Sequence, residues 1–456
     1  MTIFHRRLLY IFCILLFLIS APAISFYAAG YEFDFFSGRI NRTGILIVET
    51  EPKGVSVDLG EKKKYNWLYD FFYQDQELKT PIKLRNLLPD EYEITLAKEG
   101  YFSYQDKVKI NSGQVALLND IVLFRRSQPE IISGKNIINS RLSRDGKKLA
   151  LLSPDALLIV ALDGGQTQEI NLDKERIESR IAEIFWAPSD KKILLTYQNY
   201  PVFNVETGKK ELEAKNYFSG NIQSVQWDSF SDNKIYARQN NRLYLLDLAQ
   251  KKTLFLFNQK APADFLIKDD KVFFIESKNG DYNLASYDLK TNAFIKRMPV
   301  PAAPDYDLMD FGQKLIYLYD KRHSLLFLVD PFSPIPVQNS LANAREFLPL
   351  TDGKILYWND FEIWLYDGAQ NDKTLISRLS EKIGKVLAYQ GNADYLIYNT
   401  RMGVNILNFK NKDNLNFTKI LDWQGTSGLA ADTAAEKLYF ISQFDNTRAL
   451  WRLEIQ

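Results

Sequence analysis

The feature that most limits how this chain can fold is a repeat of about 41 residues, which runs from about residue 137 to the end. Each repeat contains a polar turn followed at once by an apolar segment, and seven of the eight turns end in lysine. The turns lie at residues 145–148, 189–192, 231–234, 268–271, 311–314, 351–354, 391–394 and 434–437. A repeat of this length indicates tandem structural units, each built from a few secondary-structure elements.

The units consist of short strands. A strand precedes each polar turn, a second strand follows it, and two more complete the unit before the next one begins. The second strands are predicted at residues 149–152, 193–197, 235–237, 272–275, 315–319, 355–358, 395–398 and 438–441. Trp186 and Trp227 occupy equivalent positions in the strand before the turn, which favours packing between units. Four strands in about 40 residues are typical of a β-propeller blade, and such sheets must stack to bury both faces.

The last repeat ends after its third strand, at residues 450–454. Residues 129–133 form a short β-prone segment that can supply the missing outer strand and close the ring. We expect eight blades. Seven blades with an irregular insertion, or an open array of sheets, are the alternatives.

The Asp-Gly-Lys form of the turns, as in Asp145-Gly146-Lys147, resembles the repeats of the TolB and peptidase-associated propellers. The resemblance covers about 320 residues and implies an architecture rather than an activity. In the peptidase relatives a hydrolase domain accompanies the propeller. Because the sequence ends at Gln456, we expect no such domain here.

The first 30 residues predict a membrane anchor. No charged residue occurs between Arg7 and Glu32. About 20 apolar residues at ~1.5 Å each span a hydrocarbon core of ~30 Å. The basic flank should keep residues 1–7 in the cytoplasm, with the anchor at 8–30 and the rest of the chain outside. The alternative is a signal peptide, cleaved near the small residues Ala21-Pro22-Ala23.

Between the anchor and the repeats, residues 43–126 alternate in polarity and predict a small all-β domain, joined to the anchor by a linker at 31–42. Its segments resemble the PEGA domain, an extracytoplasmic β-sandwich. The matching segments are 44–48, 52–55, 80–81, 87–92 and 98–101. Asp90 stands where the family usually has glycine. The resemblance implies a binding or spacer role and no catalytic residues.

Five aromatic residues interrupt this PEGA-like sequence where the family has a brief turn. They recur at every second position and are Tyr65, Trp67, Tyr69, Phe71 and Tyr73. On a strand this spacing places all five rings on one face. We regard them as candidate contacts for a glycan, a partner or the membrane interface. The alternative is that the rings pack on the sandwich or on the propeller.

The composition argues against nucleic-acid binding and against most kinds of metal and catalytic site. Lys and Arg (57) nearly balance Asp and Glu (56), so no basic footprint indicates nucleic acid. One cysteine allows no intrachain disulfide, and two histidines leave few ligands or bases for metal or triad chemistry. His323 is predicted to be a solvated turn residue. We therefore expect no cofactor, no metal and no catalytic residue.

These observations predict an all-β, membrane-anchored, extracytoplasmic scaffold of the cell envelope that is not an enzyme and that binds a protein or a surface polymer. One alternative is a glycan or peptidoglycan binder that uses the aromatic residues 65–73. Another is a hydrolase or lyase with carboxylates in the propeller mouth. Ligands of propellers usually meet the loops of one ring face. Here those loops lie near residues 199–200, 240–241, 279–281, 323, 359–360, 401 and 445–446.

Overall fold

The computed structural model describes residues 3–34, 39–60, 77–164, 166–172, 182–240, 242–258, 265–301, 306–311, 314–350, 353–411, 414–444 and 446–456. The chain forms two compact units. The first is Met1–Ser127 together with Ile406–Ile420 and Ile455–Gln456, and the second is Gln128–Asn405 together with Leu421–Glu454.

The first unit begins with one long apolar helix, α1 (Ile3–Ala28). Its segment Leu9–Phe26 has a mean hydropathy of 2.4 and buries nothing against the protein. By length and composition α1 can cross a membrane, a test that a signal sequence also passes. Where the sequence predicted a linker, two short antiparallel strands follow, β1 (Tyr31–Asp34) and β2 (Arg39–Arg42).

A small β-sandwich follows this hairpin and confirms the fold predicted for the segment. One sheet has the order β5-β3-β8 and the other the order β4-β6-β7. The six strands are β3 (Gly44–Glu51), β4 (Ser56–Asp58), β5 (Ile82–Leu87), β6 (Asp90–Ala97), β7 (Tyr104–Ile110) and β8 (Val115–Val122). Alternate residues point inward and form one core, which includes Leu46, Leu84, Tyr92 and Ile110. The sandwich therefore has its own hydrophobic core.

The rest of the described chain forms eight four-stranded antiparallel sheets, which we call blades 1 to 8. Blade 1 contains β10 (Asn139–Leu142), β11 (Lys148–Leu152), β12 (Ala156–Ala161) and β13 (Thr167–Asn171). Blade 2 contains β14 (Ile184–Trp186), β15 (Lys192–Leu195), β16 (Pro201–Asn204) and β17 (Lys210–Glu213). Blade 3 contains β18 (Ser224–Trp227), β19 (Lys234–Gln239), β20 (Arg242–Asp247) and β21 (Lys252–Asn258). Blade 4 contains β22 (Phe265–Lys268), β23 (Lys271–Lys278), β24 (Asp281–Asp288) and β25 (Ala293–Val300).

The remaining blades repeat this order. Blade 5 contains β26 (Tyr306–Met309), β27 (Ile316–Asp320), β28 (Leu325–Val329) and β29 (Val337–Leu341). Blade 6 contains β30 (Glu346–Pro349), β31 (Lys354–Trp358), β32 (Glu362–Asp367) and β33 (Asp372–Arg378). Blade 7 contains β34 (Ile383–Ala388), β35 (Tyr395–Thr400), β36 (Gly403–Asn408) and β37 (Asn416–Leu421). Blade 8 contains β38 (Ser427–Ala431), β39 (Lys437–Phe444), β40 (Thr447–Glu454) and, from upstream in the chain, β9 (Glu130–Ser133).

The ring closes as the sequence predicted. β9 pairs antiparallel with β40, so that Ile131 lies opposite Trp451 and Glu130 opposite Arg452. The Arg452 guanidinium also binds the Glu130 carboxylate at 2.5 Å. Blade 8 is therefore assembled from two distant parts of the sequence. The all-β fold with eight blades is confirmed, and the seven-blade alternative is wrong.

Hydrophobic cores lie between neighbouring blades. First strands contact each other between blades 1 and 2, 2 and 3, 3 and 4, 4 and 5, and 7 and 8. One core joins blades 1 and 2, another blades 2 and 3, and a third joins blades 1 and 8 across the closure. Trp186 and Trp227 are buried in the first two of these cores, as their equivalent positions predicted. Each blade is thus stabilised by its two neighbours.

The polar turns of the repeat also join blades. The Asp190 carboxylate, from the turn of blade 2, accepts hydrogen bonds at 3.0 Å from the backbone N–H groups of Arg144 and Asp145 in the turn of blade 1. Asp232, in the equivalent turn of blade 3, accepts the backbone N–H and the hydroxyl of Ser189 in blade 2. In blades 1 to 3 the repeated turn is therefore a structural link between neighbouring blades.

Candidate functional site

The loops at one end of the ring form a cavity at blades 5 and 6. Because successive strands alternate in direction, each loop between a second and a third strand lies at the same end as the connections between blades. Two such loops, the connection between blades 5 and 6, and the end of β33 with the residue after it surround a cavity of about 690 Å³. The residues that line it are Ser324, Asn343, Arg345, Asn359, Asp360, Phe361, Glu362, Arg378 and Leu379. The sequence predicted a ligand face at loops that include His323 and 359–360, and the cavity lies at these two loops.

The turn between β31 and β32 presents an aromatic ring to solvent. The Asn359 side-chain oxygen accepts hydrogen bonds at 2.8 Å from the backbone N–H groups of Phe361 and Glu362. The Asn359 amide nitrogen in turn donates to the Glu362 carboxylate at 3.1 Å. These bonds fix the turn and leave the Phe361 ring exposed at the cavity.

Both neighbours of Phe361 are acidic, and cations bind each of them. The Asp360 carboxylate pairs with the Arg345 guanidinium and, at 3.1 Å, with the Lys382 ammonium. The Glu362 carboxylate accepts hydrogen bonds from the Arg378 Nε and Nη2 atoms at 2.9 and 2.6 Å. The two ion-pair groups thus involve the residues directly before and after Phe361 in the chain.

Arg345 also links the site to the next blade. Its Nη2 atom donates a hydrogen bond of 2.7 Å to the backbone carbonyl of Ile383, the first residue of β34 in blade 7. The Trp358 indole donates to the carbonyl of Gly384 at 2.9 Å. Side chains from the connection before blade 6 and from β31 therefore bind the start of blade 7 beside the cavity.

These contacts lower the pKa of both carboxyl groups. The hydrogen bond from Lys382, helped by the charge of Arg345, holds the pKa of Asp360 below its usual range. The hydrogen bonds from Arg378, Trp364 and Asn359 hold the pKa of Glu362 below its usual range. Both groups are therefore anions at neutral pH, and neither is poised to act as a general acid.

Two of the three cations, Arg378 and Lys382, project further into solvent than the acids that they bind, whereas Arg345 is less exposed than Asp360. The exposed fraction is 71% for the Arg378 side chain against 19% for Glu362, and 64% for Lys382 against 38% for Asp360. A partner approaching the cavity meets ammonium and guanidinium groups around an aromatic ring. This arrangement suits a ligand that carries a carboxylate next to an apolar group.

His323 lies on the same ring face and has a structural contact. Its Nδ1 atom is 2.6 Å from the carboxylate of Asp320, which also accepts the backbone N–H groups of Arg322 and His323. Among the contacts of the described residues, none joins the His323 ring to a serine or cysteine. The described ranges also contain no cluster of three or more His, Cys, Asp or Glu side chains arranged to hold a metal ion.

The candidate contacts predicted from the sequence are not among the described residues. Tyr65, Trp67, Tyr69, Phe71 and Tyr73 all fall within residues 61–76, outside the described residues. The structure instead draws attention to Arg345, Phe361, Glu362 and Arg378, which the sequence alone did not single out. The acid–aromatic–acid order of residues 360–362 in a loop of the ligand face was the available clue.

Comparison with known proteins identifies the fold only. No family model matches the chain, and no curated protein sequence matches it. Among solved structures, the Dos1 propeller aligns with a TM-score of 0.50 and 14% identity over 73% of this chain and 96% of that one. Dipeptidyl peptidase 4 of Porphyromonas gingivalis aligns with a TM-score of 0.49 and 12% identity over 72% of this chain, which spans 60% of the peptidase chain. The WD40 domain of SCAP from fission yeast aligns with a TM-score of 0.48 and 8% identity over 72% of this chain and 98% of that one. The likeness to the Dos1 propeller agrees with the eight-sheet ring, and the chain is a β-propeller protein.

Proposed function

We propose that this protein is a membrane-anchored, extracytoplasmic scaffold of the cell envelope that holds a partner protein at the cavity of blades 5 and 6. The observation that carries the proposal is the Phe361 ring, exposed between two groups of ion pairs. Aromatic anchors surrounded by polar rims are the usual centres of protein–protein binding energy. A rigid ring of blades presents such an anchor at little cost in conformational entropy.

The partner surface is acidic. Arg378 and Lys382 project beyond the carboxylates that they bind, so an approaching carboxylate meets positive charge first. Charge complementarity of this kind speeds association and selects among partners. A segment with an aliphatic or aromatic side chain beside Asp or Glu fits both features of the site.

The proposal assigns no catalysis to the cavity. A glycoside hydrolase or a lyase of this kind needs one carboxyl group whose pKa is raised, so that it can donate a proton. Here the pKa values of Asp360 and Glu362 are both lowered by the cations that bind them. This supports a binding role over the hydrolase alternative.

The same proposal includes the membrane anchor and the extracytoplasmic location of the domains that follow it. They are supported by the apolar α1 helix and by Arg6 and Arg7 before its apolar segment, which favour a cytoplasmic N-terminus. The resemblance of residues 43–126 to PEGA domains and of the repeats to TolB-type propellers favours an extracytoplasmic protein.

Site-specific photocrosslinking in intact cells tests the binding site. A benzophenone amino acid replaces Phe361 in the full-length chain, and the matched control places it at Phe230. Phe230 is also exposed, but it lies in a loop between first and second strands, at the other end of the ring. We expect a discrete protein adduct from position 361 only, weakened by Arg378→Gln. Equal adducts from both positions, or capture of a polysaccharide at 361, would contradict the proposed protein site.

Topology is tested separately by cysteine labelling. Asn233→Cys lies at an exposed position of a polar turn, and Thr2→Cys lies before α1. A membrane-impermeant maleimide should label the first variant in intact cells and the second only after permeabilisation. The reverse pattern would refute the extracytoplasmic assignment without bearing on the cavity.

A further inference from the structure

One sheet of the sandwich carries an aliphatic patch on its outer face. Ile45 and Ile47 of β3 lie opposite Val115 and Leu117 of β8, in the registers Ile45–Val115 and Ile47–Leu117. The exposed fractions of Val115 and Leu117 are 56% and 58%. This exposure is unfavourable, because burial of a valine or leucine side chain stabilises a protein. β8 is also the edge strand of its sheet. An apolar edge strand left in water is a site of uncontrolled association, so natural proteins cover it.

The patch begins beside the end of α1. The backbone N–H and the hydroxyl of Thr43 donate to the carbonyl of Gly30 at 2.8 and 2.9 Å, two residues after α1 ends. The N–H of Gly113, in the turn before β8, donates to the carbonyl of Thr43 at 2.9 Å. Gly113 has a φ of +67°, a conformation that favours glycine. The starts of β3 and β8 are therefore bonded to the chain where it leaves the helix.

This placement brings the patch to the depth of lipid headgroups. Ile45 and Val115 each come two residues after these bonded positions, about 7 Å along their strands. The headgroup layer on each side of a bilayer is about 5 to 8 Å thick. If α1 spans the membrane, the first row of the patch lies within or just above that layer, and a sheet that tilts toward the bilayer about this row brings Ile47 and Leu117 to the same depth.

Cations flank the aliphatic residues. Lys83 of β5 lies opposite Ile47, and Arg85 follows two residues later on the same exposed face. The exposed Arg42 side chain lies against Gly113 at the helix end of the sheet. Within the described ranges, no ion pair involves any of these three side chains. The acidic Glu49 comes one row further from Gly30 than Ile47 does.

We propose that the outer face of the β5-β3-β8 sheet rests on the outer surface of the membrane that α1 crosses. Ile45, Ile47, Val115 and Leu117 enter the interface, while Lys83 and Arg85 bind anionic headgroups. Apolar residues beside cations are the composition of interfacial membrane-binding surfaces. The inference rests on the proposed anchorage by α1, and it gives the sandwich a fixed orientation on the bilayer.

Depth-dependent quenching in proteoliposomes tests this placement. The full-length Cys13→Ser chain carries a single NBD label at Leu117→Cys and is reconstituted into phosphatidylcholine–phosphatidylglycerol vesicles containing a spin-labelled lipid. The matched control carries the label at Glu91→Cys. Glu91 is opposite Lys109 near the helix end of the other sheet, so it is similarly close to α1 along the strands but points to the outer face that is turned away from the bilayer. We expect a blue-shifted emission and strong quenching at 117, and neither at 91.

The other outcomes of this experiment are distinct from one another. Equal quenching at both positions in vesicles that carry the protein through flotation overturns this inference and leaves the anchor intact. Failure of the protein to float with vesicles overturns the anchor and this inference together. Val115→Asp should reduce quenching at 117, and Lys83→Gln with Arg85→Gln should abolish its dependence on phosphatidylglycerol. Quenching unaffected by all three substitutions would show that the label itself seeks the lipid, which overturns the proposed surface.

Discussion

At the residue scale, two tryptophans join neighbouring blades by the same hydrogen bond. The Trp186 indole N–H donates at 3.1 Å to the carbonyl of Arg141 in β10, and the Trp227 indole donates at 3.1 Å to the carbonyl of Phe185 in β14. In each case the acceptor belongs to the first strand of the preceding blade. A buried polar group that loses such a partner is costly, so these side chains contribute both apolar area and a directional link.

Replacing Trp227 by phenylalanine should test that link. Trp227→Phe keeps an aromatic ring but removes the donor to Phe185, and we expect a loss of about 2 kcal/mol in the free energy of unfolding. The control is Trp364→Phe, because its acceptor Glu362 keeps its bonds from Asn359 and Arg378. The control should lose less than about 1 kcal/mol. Urea unfolding followed by circular dichroism measures both, and equal losses would refute a specific role for the indole between blades.

The buried carboxylate of Asp190 makes a second link. Asp190→Ala removes two charge-assisted bonds to the turn of the preceding blade, which should lower the free energy of unfolding by about 3 kcal/mol. Asp367→Ala is the control, because Asp367 also accepts two backbone N–H groups, but from Ala369 and Gln370 of its own turn. We expect about 1 kcal/mol there. A control loss as large as that of Asp190→Ala would show that only the local turn matters.

At the scale of the strand, tyrosine recurs in the second strand of five blades. These residues are Tyr236, Tyr317, Tyr357, Tyr398 and Tyr439, and all are buried. Burial, with nearby carboxylates as smaller causes, raises the pKa of Tyr317, Tyr357 and Tyr398 to about 12. Since the charged phenolate is poorly solvated between blades, these tyrosine side chains should stay protonated to higher pH while the fold is intact.

The tyrosines predict the pH dependence of stability in alkali. An unfolded tyrosine ionises near pH 10, so unfolding releases protons at pH values between about 10 and 12. The free energy of unfolding should therefore be fully retained below about pH 10 and fall as the pH rises toward about 12. Urea midpoints measured across this range, with tyrosinate absorbance alongside, give the slope. Tyr357→Phe should make the decline shallower, and a midpoint independent of pH in this range would contradict the assignment.

The elements could be predicted from the sequence better than the site could. The second strand expected at 235–237 is β19 (Lys234–Gln239), because the polar turn and the apolar alternation both depend on local sequence. The loop at 359–360 was predicted to belong to a ligand face, and it does line the cavity. Arg345 and Arg378 were not predicted, since Arg345 lies in the connection before blade 6 and Arg378 is the last residue of its outer strand β33. Their approach to residues 360–362 depends on how blades stack, which no local pattern records.

At the scale of the whole molecule, closure of the propeller depends on one short strand. β9 joins the start of the repeat region to β40 at its end. Around the same junction, the Tyr439 hydroxyl donates to the carbonyl of Leu162 at 2.6 Å, and the N–H of Ile137 donates to the carbonyl of Arg448 at 2.7 Å. Blades 1 and 8 also share a hydrophobic core. Loss of β9 would expose an edge of β40 and remove a covalent connection between the two ends of the ring.

Replacing β9 by a flexible segment has two effects, because it opens the ring and also removes an outer strand. A control variant that loses a different outer strand distinguishes these two effects on stability. In one variant Ser-Gly-Ser-Gly replaces β9, Glu130–Ser133, and in the control it replaces β17, Lys210–Glu213, an outer strand of the same length in blade 2. Both variants lose one edge strand, but only the first opens the ring. We expect a larger fall in melting temperature, and aggregation on heating, for the β9 variant, because its β40 edge becomes available while blade 8 loses its tie to the upstream chain. Circular dichroism and light scattering during a thermal ramp compare the two. Equal melting temperatures for both variants would mean that the hydrophobic core between blades 1 and 8 holds the ring closed without β9.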